Sequence, residues 1–382
     1  MKRATLTLFA LLSSGCMVVA DFDDYALGSS VTSSGPGGGG GGGGACDADL
    51  LIDPHHCGAC GHSCLGGECI DGECQAIVIF ENPSTGAHGT FSDIVVDAGR
   101  LYFIDIGDQD QAIGTGAVWS TTLDGTDALR LDTPGTTEPQ AMALSSSDVF
   151  WTSVEGDVKR VPKSGGTTDT LGSGMPTGLR GIAVAGGDLF YADVYDILRI
   201  ELSSGSLSDV VYEEGYPQQM AIDGADLYYT ADGGRVARVP TDGSSLPEDL
   251  TSPQINPRAI ALDATHVYWT AGDGIWRVAK TSGAQAEHLF TIEDPLDFGP
   301  WDIAVDDTHV YWTNWGPCLQ SMGCAARPPS DELHGRVSRI PKAGGEREIL
   351  AEGFLLPTGI ALDDVAVYWT TWWFSSVMKR AK

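Results

Sequence analysis

Three sets of side chains in this sequence have types and spacings suited to chemistry. Asp105, Asp108 and Asp110 put three carboxylates within a six-residue stretch. Calcium takes oxygen ligands of this kind, but the twelve-residue EF-hand pattern is missing and a solvated acidic loop is the competing account. Cys57 and Cys60, flanked by His55, His56 and His62, offer thiolates and imidazole, the donor set of tetrahedral zinc. The third set is Ser92, Gln140, Arg180, Gln218, Arg258, Trp301 and Thr358, each two places before a recurring apolar anchor and several directly after a proline. If the anchors share one plane, these side chains surround one opening, and the arginines and Trp301 make a cup for an anionic or carbohydrate ligand. The plainer account is that they only cap strand ends.

Enzyme chemistry finds little else. There is no Gly-x-Ser-x-Gly elbow, no His-Glu-x-x-His and no phosphate loop. His266 and His309 belong to a repeated Asp-x-x-His-Val-Tyr-Trp phrase and read as part of the repeat rather than as a general base. No cofactor is expected, with calcium the one open alternative.

The anchors are Ile94, Met142, Ile182, Met220, Ile260, Ile303 and Ile360. The fullest copies are Ile260-Ala261-Leu262-Asp263 with Val267-Tyr268-Trp269-Thr270, Ile303-Ala304-Val305-Asp306 with Val310-Tyr311-Trp312-Thr313, and Ile360-Ala361-Leu362-Asp363 with Val367-Tyr368-Trp369-Thr370. A period of about forty residues made of short alternating strands, with no helix between copies, predicts a seven-bladed β-propeller over residues 76–382. In the sixth copy the strands are expected at 302–305, 310–314, 335–340 and 346–350. One four-stranded sheet cannot bury both its apolar faces alone, so blades stack in a ring, and Tyr268 and Trp269, adjacent in a strand, serve opposite faces. The seventh copy ends after three strands and the first is preceded by Gln75-Ala76-Ile77-Val78-Ile79-Phe80, so the N-terminal strand is expected to complete the C-terminal blade.

In a propeller the loops entering the innermost strands and those joining second to third strands share one face. Trp315-Gly-Pro-Cys318, with Cys324 as a disulfide partner, and Trp372-Trp373-Phe374 fall in such loops of neighbouring blades. Adjacent exposed aromatics are expected there.

The N-terminus reads differently. Met1-Lys2-Arg3 and an apolar run from Ala4 to Leu12 look like an export signal too short to span a bilayer. It ends in Ser13-Ser14-Gly15-Cys16, which resembles a lipoprotein cleavage box, and that resemblance implies a lipid on Cys16. The alternative is secretion with cleavage after Val18-Val19-Ala20. Residues 17–45, with eight glycines from Gly37 to Gly44, form a flexible tether whose stretch from Asp21 to Ala45 has a reach of roughly 28 Å. Residues 46–75 hold Cys46, Cys57, Cys60, Cys64, Cys69 and Cys74 with few apolar residues, so three disulfides are the default for an exported module and zinc the rival. The formal charge of −30, from 52 acidic against 22 basic residues, excludes nucleic-acid binding and favours divalent cations or basic partners.

The run from Cys57 to Cys74 resembles the cysteine-rich stretch of the stigma-specific protein family, and no binding residue is carried over from it. The Val-Tyr-Trp-Thr strand resembles the YWTD repeat of low-density-lipoprotein-receptor class B propellers. That family usually has six blades, and its aspartate survives here only as Asp105 and Asp193. The resemblance implies a recognition scaffold that binds a protein. Together these readings give an exported, envelope-bound lipoprotein that is not an enzyme, touches the membrane only through its lipid, and binds a protein or glycan through one face. The alternative is a calcium-dependent propeller hydrolase or lyase of the lactonase type.

Overall fold

The computed structural model describes residues 48–81, 90–107, 116–134, 138–173, 181–212, 215–251, 253–294, 299–316, 334–354, 356–372 and 376–382. The signal segment, Cys16, the tether, Cys46, Asp108, Asp110, Arg180, Cys318, Cys324 and Trp373 lie outside them.

Seven four-stranded antiparallel sheets form a ring whose innermost strands neighbour one another in order, the last against the first. The innermost strands of blades 1 to 7 are Phe91–Asp97, Pro139–Leu144, Ile182–Ala185, Pro217–Asp223, Ile260–Leu262, Pro300–Val305 and Pro357–Leu362. Blade 7 is completed as the sequence predicts, because Ile77–Glu81 pairs antiparallel with Ser376–Ala381. Phe80 then reaches past its own blade to Phe91, Phe103 and Trp119 at centroid distances of 5.9, 5.0 and 5.5 Å, tying the last blade to the first.

The strand that carries the repeated phrase explains the packing. Tyr268 is buried with Ile303, Val310 and Trp312 of blade 6, whereas Trp269 is buried with Tyr228 and Val236 of blade 4. Alternation sends successive side chains to opposite faces, so one dipeptide fills two interfaces. The threonine that follows continues the work toward the channel. Thr230 Oγ1 donates to Arg258 O (2.5 Å) and Thr313 Oγ1 to Thr358 O (2.6 Å), each from one blade to the next.

A second link runs along the face opposite the candidate cup. Asp263 Oδ1 accepts the amides of Thr265 (2.7 Å) and His266 (2.8 Å), while its Oδ2 accepts Tyr268 OH (2.8 Å) and pairs with Lys342 Nζ of the next blade (2.7 Å). Asp306 repeats this with Thr308, His309, Tyr311 and Lys382, and Asp223–Lys280 and Asp97–Lys163 are the same contact in earlier blades. Burial alone would raise the Asp263 carboxyl, but the lysine and the amide donors outweigh it and hold the group well below the usual carboxylate range. His266 and His309 therefore sit in turns organised by a structural carboxylate.

In the N-terminal module, Cys57 pairs with Cys69 and Cys64 with Cys74, and Cys60 is also disulfide-bonded. The sulfurs of Cys57, Cys64 and Cys74 lie within 4.8 Å of one another, but in disulfides they are not thiolates and offer zinc no charge. His62 is spent on packing: Nδ1 lies 2.7 Å from Cys57 O and Nε2 2.9 Å from Lys382 O, which docks the module on the end of blade 7. Cys57, Cys64, Cys69 and Cys74 form a buried cluster with Ala381 of that blade.

Candidate functional site

Each innermost strand enters the ring through a short lead-in, in most blades a proline, and five of them then bulge. The register slips between Phe91 and Ile94, Pro139 and Met142, Pro217 and Met220, Pro300 and Ile303, and Pro357 and Ile360. A regular strand would aim only every second side chain at the channel, whereas a bulge lets two consecutive residues face the same opening. That geometry builds a cavity of about 410 Å³ at the mouth of the central channel.

Five of the seven residues expected around an opening line this cavity: Ser92, Gln140, Gln218, Arg258 and Trp301. Thr358 does not join them. It is fully buried, and its hydroxyl donates to Phe91 O (2.8 Å), linking blade 7 to blade 1. Trp372 lines the cavity, and Trp315 stands behind Trp301. The Arg258 guanidinium lies 3.0 Å from the Trp301 ring centroid, Trp301 stacks on Trp315 at 3.5 Å, and Trp372 meets Trp315 at 6.2 Å and 59°. Backbone bonds fix these loops, with Trp315 N donating to Gly299 O (3.2 Å) and Trp372 N to Leu356 O (3.1 Å). Trp315 and Trp372, expected to stand exposed, are instead half-buried in a cluster with Trp301 and Arg258, contributed by blades 5, 6 and 7.

Asp105 is fully buried, and its Oδ1 accepts the amides of Thr90 (3.3 Å) and Gly107 (2.9 Å). That oxygen organises the loop from inside.

The sequence reading missed the deeper wall. One residue before each anchor come Asp93, Ala141, Gly181, Gln219, Ala259, Asp302 and Gly359. Each polar member is followed in the next blade by a small one and reaches across to it. Asp93 Oδ2 accepts Met142 N (2.8 Å), Gln219 Oε1 accepts Ile260 N (3.1 Å), and Asp302 Oδ2 accepts Ile360 N (2.9 Å). Their remaining contacts are Asp93 Oδ1 with Ile94 N (2.8 Å), and Asp302 Oδ1 with Ile303 N (2.9 Å) and Gln219 Nε2 (3.4 Å). Gly359 sits between the two carboxylates in the ring. A Cβ there would come within 2.9 Å of Ser92 O and 3.0 Å of Asp93 Cα, so blade 7 contributes no side chain to separate them.

Burial and the neighbouring Asp302 push the Asp93 carboxyl up to about 7. Burial raises Asp302 as well, and its amide donors and the charge of Arg258 offset only part of that rise. Both are walled in by protein while part of each residue opens on the channel. Glu138, at the rim, is raised by burial and by Glu155. The mouth thus combines an aromatic cluster, one stacked guanidinium and a neck of two carboxylates whose charged forms burial disfavours.

No protein-family model matches the chain, and no curated protein does either. Among solved structures it is similar to a catalytically inactive virginiamycin B lyase from Staphylococcus aureus with quinupristin, at 16% identity and a TM-score of 0.58 over 81% of this chain and 100% of that one. It is also similar to YCF48 bound to a D1 peptide, at 11% identity and a TM-score of 0.58 over 81% and 96% of the two chains. A propeller in a nidogen/laminin complex matches at 19% identity and a TM-score of 0.47 over 61% and 88%. At these identities the likeness to the first two establishes the β-propeller fold alone.

Proposed function

We propose that this chain is a non-enzymatic recognition protein of the cell envelope, exported and held by a lipid on Cys16, that binds a protein or a glycan through the channel mouth. The observation that carries the reading is the convergence of Arg258, Trp301, Trp315 and Trp372 from three blades around one cavity. Aromatic and arginine side chains packed around a concave site are the residue types that dominate binding energies at interfaces. The opposite face, by contrast, is committed to Asp–Tyr–Lys links between blades. The likeness of the repeated strand to YWTD recognition scaffolds and the peptide held by the similar YCF48 propeller support the same reading.

In the lipid-free residues 46–382, replacing Trp301, Trp315 and Trp372 together by alanine is expected to weaken binding to native envelope by at least about 30-fold, the factor for a hot spot of about 2 kcal/mol. Circular dichroism should remain that of the folded ring. Retained attachment would count against the mouth as the binding face.

One observation favours the second reading, a calcium-dependent hydrolase or lyase of the lactonase type: Asp93 and Asp302 converge in the channel. Turnover of lactones or esters that stops on chelation and returns with calcium would establish it.

A further inference from the structure

Beyond the tryptophan stack, the mouth has a second aromatic side. Gln218 Nε2 donates to Asp232 Oδ1 (2.8 Å) and to Tyr216 O (3.3 Å), so the cavity rim runs directly into the loop that carries Tyr216. The Tyr216 ring lies 6.3 Å from that of Tyr195, and the two residues are 50% and 55% exposed. Tyr212, 69% exposed, follows the strand Leu207–Val211 and precedes Tyr216 by four residues. Blades 3 and 4 thus carry tyrosines beside the mouth, blades 6 and 7 present tryptophans in it, and Asp93 and Asp302 line the same cavity.

We propose that the mouth takes an extended basic segment of a partner protein, with a lysine or arginine side chain entering the neck between Asp93 and Asp302 and the flanking residues resting on the two aromatic sides. This rests on the mouth being the recognition face and goes further by naming the occupant. Each bonded carboxylate oxygen in the neck can accept more than the amide donors it already has. Among the described residues the basic group whose charge acts on Asp302 is Arg258, and it offsets only part of the rise there. Two carboxylates held together at low dielectric are relieved by a cation, and a sugar hydroxyl carries no charge to relieve them. The cations nearby are already employed, Arg258 on Trp301 and the lysines between blades on the far face. With 52 acidic against 22 basic residues, the whole chain also draws basic partners toward it. Exposed tyrosine and tryptophan offer large contact area at low entropic cost.

The test uses residues 46–382 and two capped peptide pools, alike except that the fixed central residue is lysine in one and norleucine in the other, with a neutral tetrasaccharide as a third probe. The lysine pool should be retained at least about tenfold better than the norleucine pool. Calorimetry at pH 7 in two buffers of different ionisation heat should show proton release on binding, as the cation displaces the proton held in the neck. Retention should fall from pH 7 to pH 5, because Asp93, pushed up to about 7, gains its proton over that range, with Asp302 and Glu138 raised in the same direction, while Arg258 stays charged. Asp302→Asn should lower retention about tenfold, and the proton count keeps the test decisive if that variant folds poorly. Equal retention of the two pools, or capture of the tetrasaccharide alone, overturns the proposal. If the three-tryptophan variant loses envelope attachment while the pools bind equally, the basic segment is wrong and the mouth remains the binding face. If that variant stays attached, both fall.

Discussion

A chain that begins at Thr90, and so lacks the strand Ile77–Glu81, should melt more than about 10 °C below the chain that begins at Cys46, or fail to fold. The strand supplies the outermost pairing of blade 7, and without it Ser376–Ala381 becomes an open edge with unpaired amides and carbonyls. It also removes Phe80, which is 9% exposed and packed on Phe91, Phe103 and Trp119 across the closure. Losing a buried phenylalanine alone costs about 3–5 kcal/mol, each kcal/mol is worth roughly 1–2 °C for a domain of this size, and the lost strand pairing adds to it. A synthetic peptide spanning residues 75–81 should restore part of the loss when added in trans. Coincident melting curves for the two chains would place the closure elsewhere.

Trp369→Ala should be nearly as damaging, while Trp372→Ala, three residues further on, should cost under about 1 kcal/mol. Trp369 is fully buried and joins Val367, Ile360 and Met378 of its own blade to Tyr311, Val337 and Leu350 of blade 6, with Phe354 edge-on at 5.6 Å. Truncation leaves a cavity between two rigid sheets that cannot collapse into it, costing about 3–5 kcal/mol. Trp372 lies half-buried at the mouth, where water replaces it. Thermal melts of the two variants separate the roles. A large loss at Trp372 with none at Trp369 would reverse the assignment of core and site.

The blades were legible because the phrase Ile-Ala-x-Asp followed by Val-Tyr-Trp-Thr fixes two strands, their alternation and the turn between them at once. Ring closure was legible from a blade one strand short at one end and a strand without a blade at the other. At the mouth, counting two places back from each anchor found Gln140, Gln218, Arg258 and Trp301, whereas Thr358 turned inward to bond the neighbouring blade. Asp93, Gln219 and Asp302 escaped because a strict period of two aims them away from the channel, and only the bulge near the start of each strand brings them back. A signal for them existed: at that position polar residues interrupt an otherwise Ala/Gly series. The disulfide partners Cys57–Cys69 and Cys64–Cys74 were not legible, since six cysteines allow fifteen pairings and no spacing rule chooses among them. The lysines that bridge blades were visible only as scattered charges until Asp263 and Asp306 gave them a common partner.

Most of the basic side chains have such structural partners. Arg238, Arg277 and Arg339 each pair along their own blade with Glu248, Glu287 and Glu348. These exposed pairs add little stability, but they occupy cations that would otherwise soften the negative field. At the mouth, Arg258 offsets only part of the rise at Asp302.

The division of labour between the two faces can be tested by placing a photo-crosslinking amino acid at Gln140, on the cavity, or at Thr265, in a turn on the opposite face, in residues 46–382 exposed to native envelope. Adducts from Gln140 and none from Thr265 are the predicted result. Adducts from Thr265 with none from Gln140 would contradict the account.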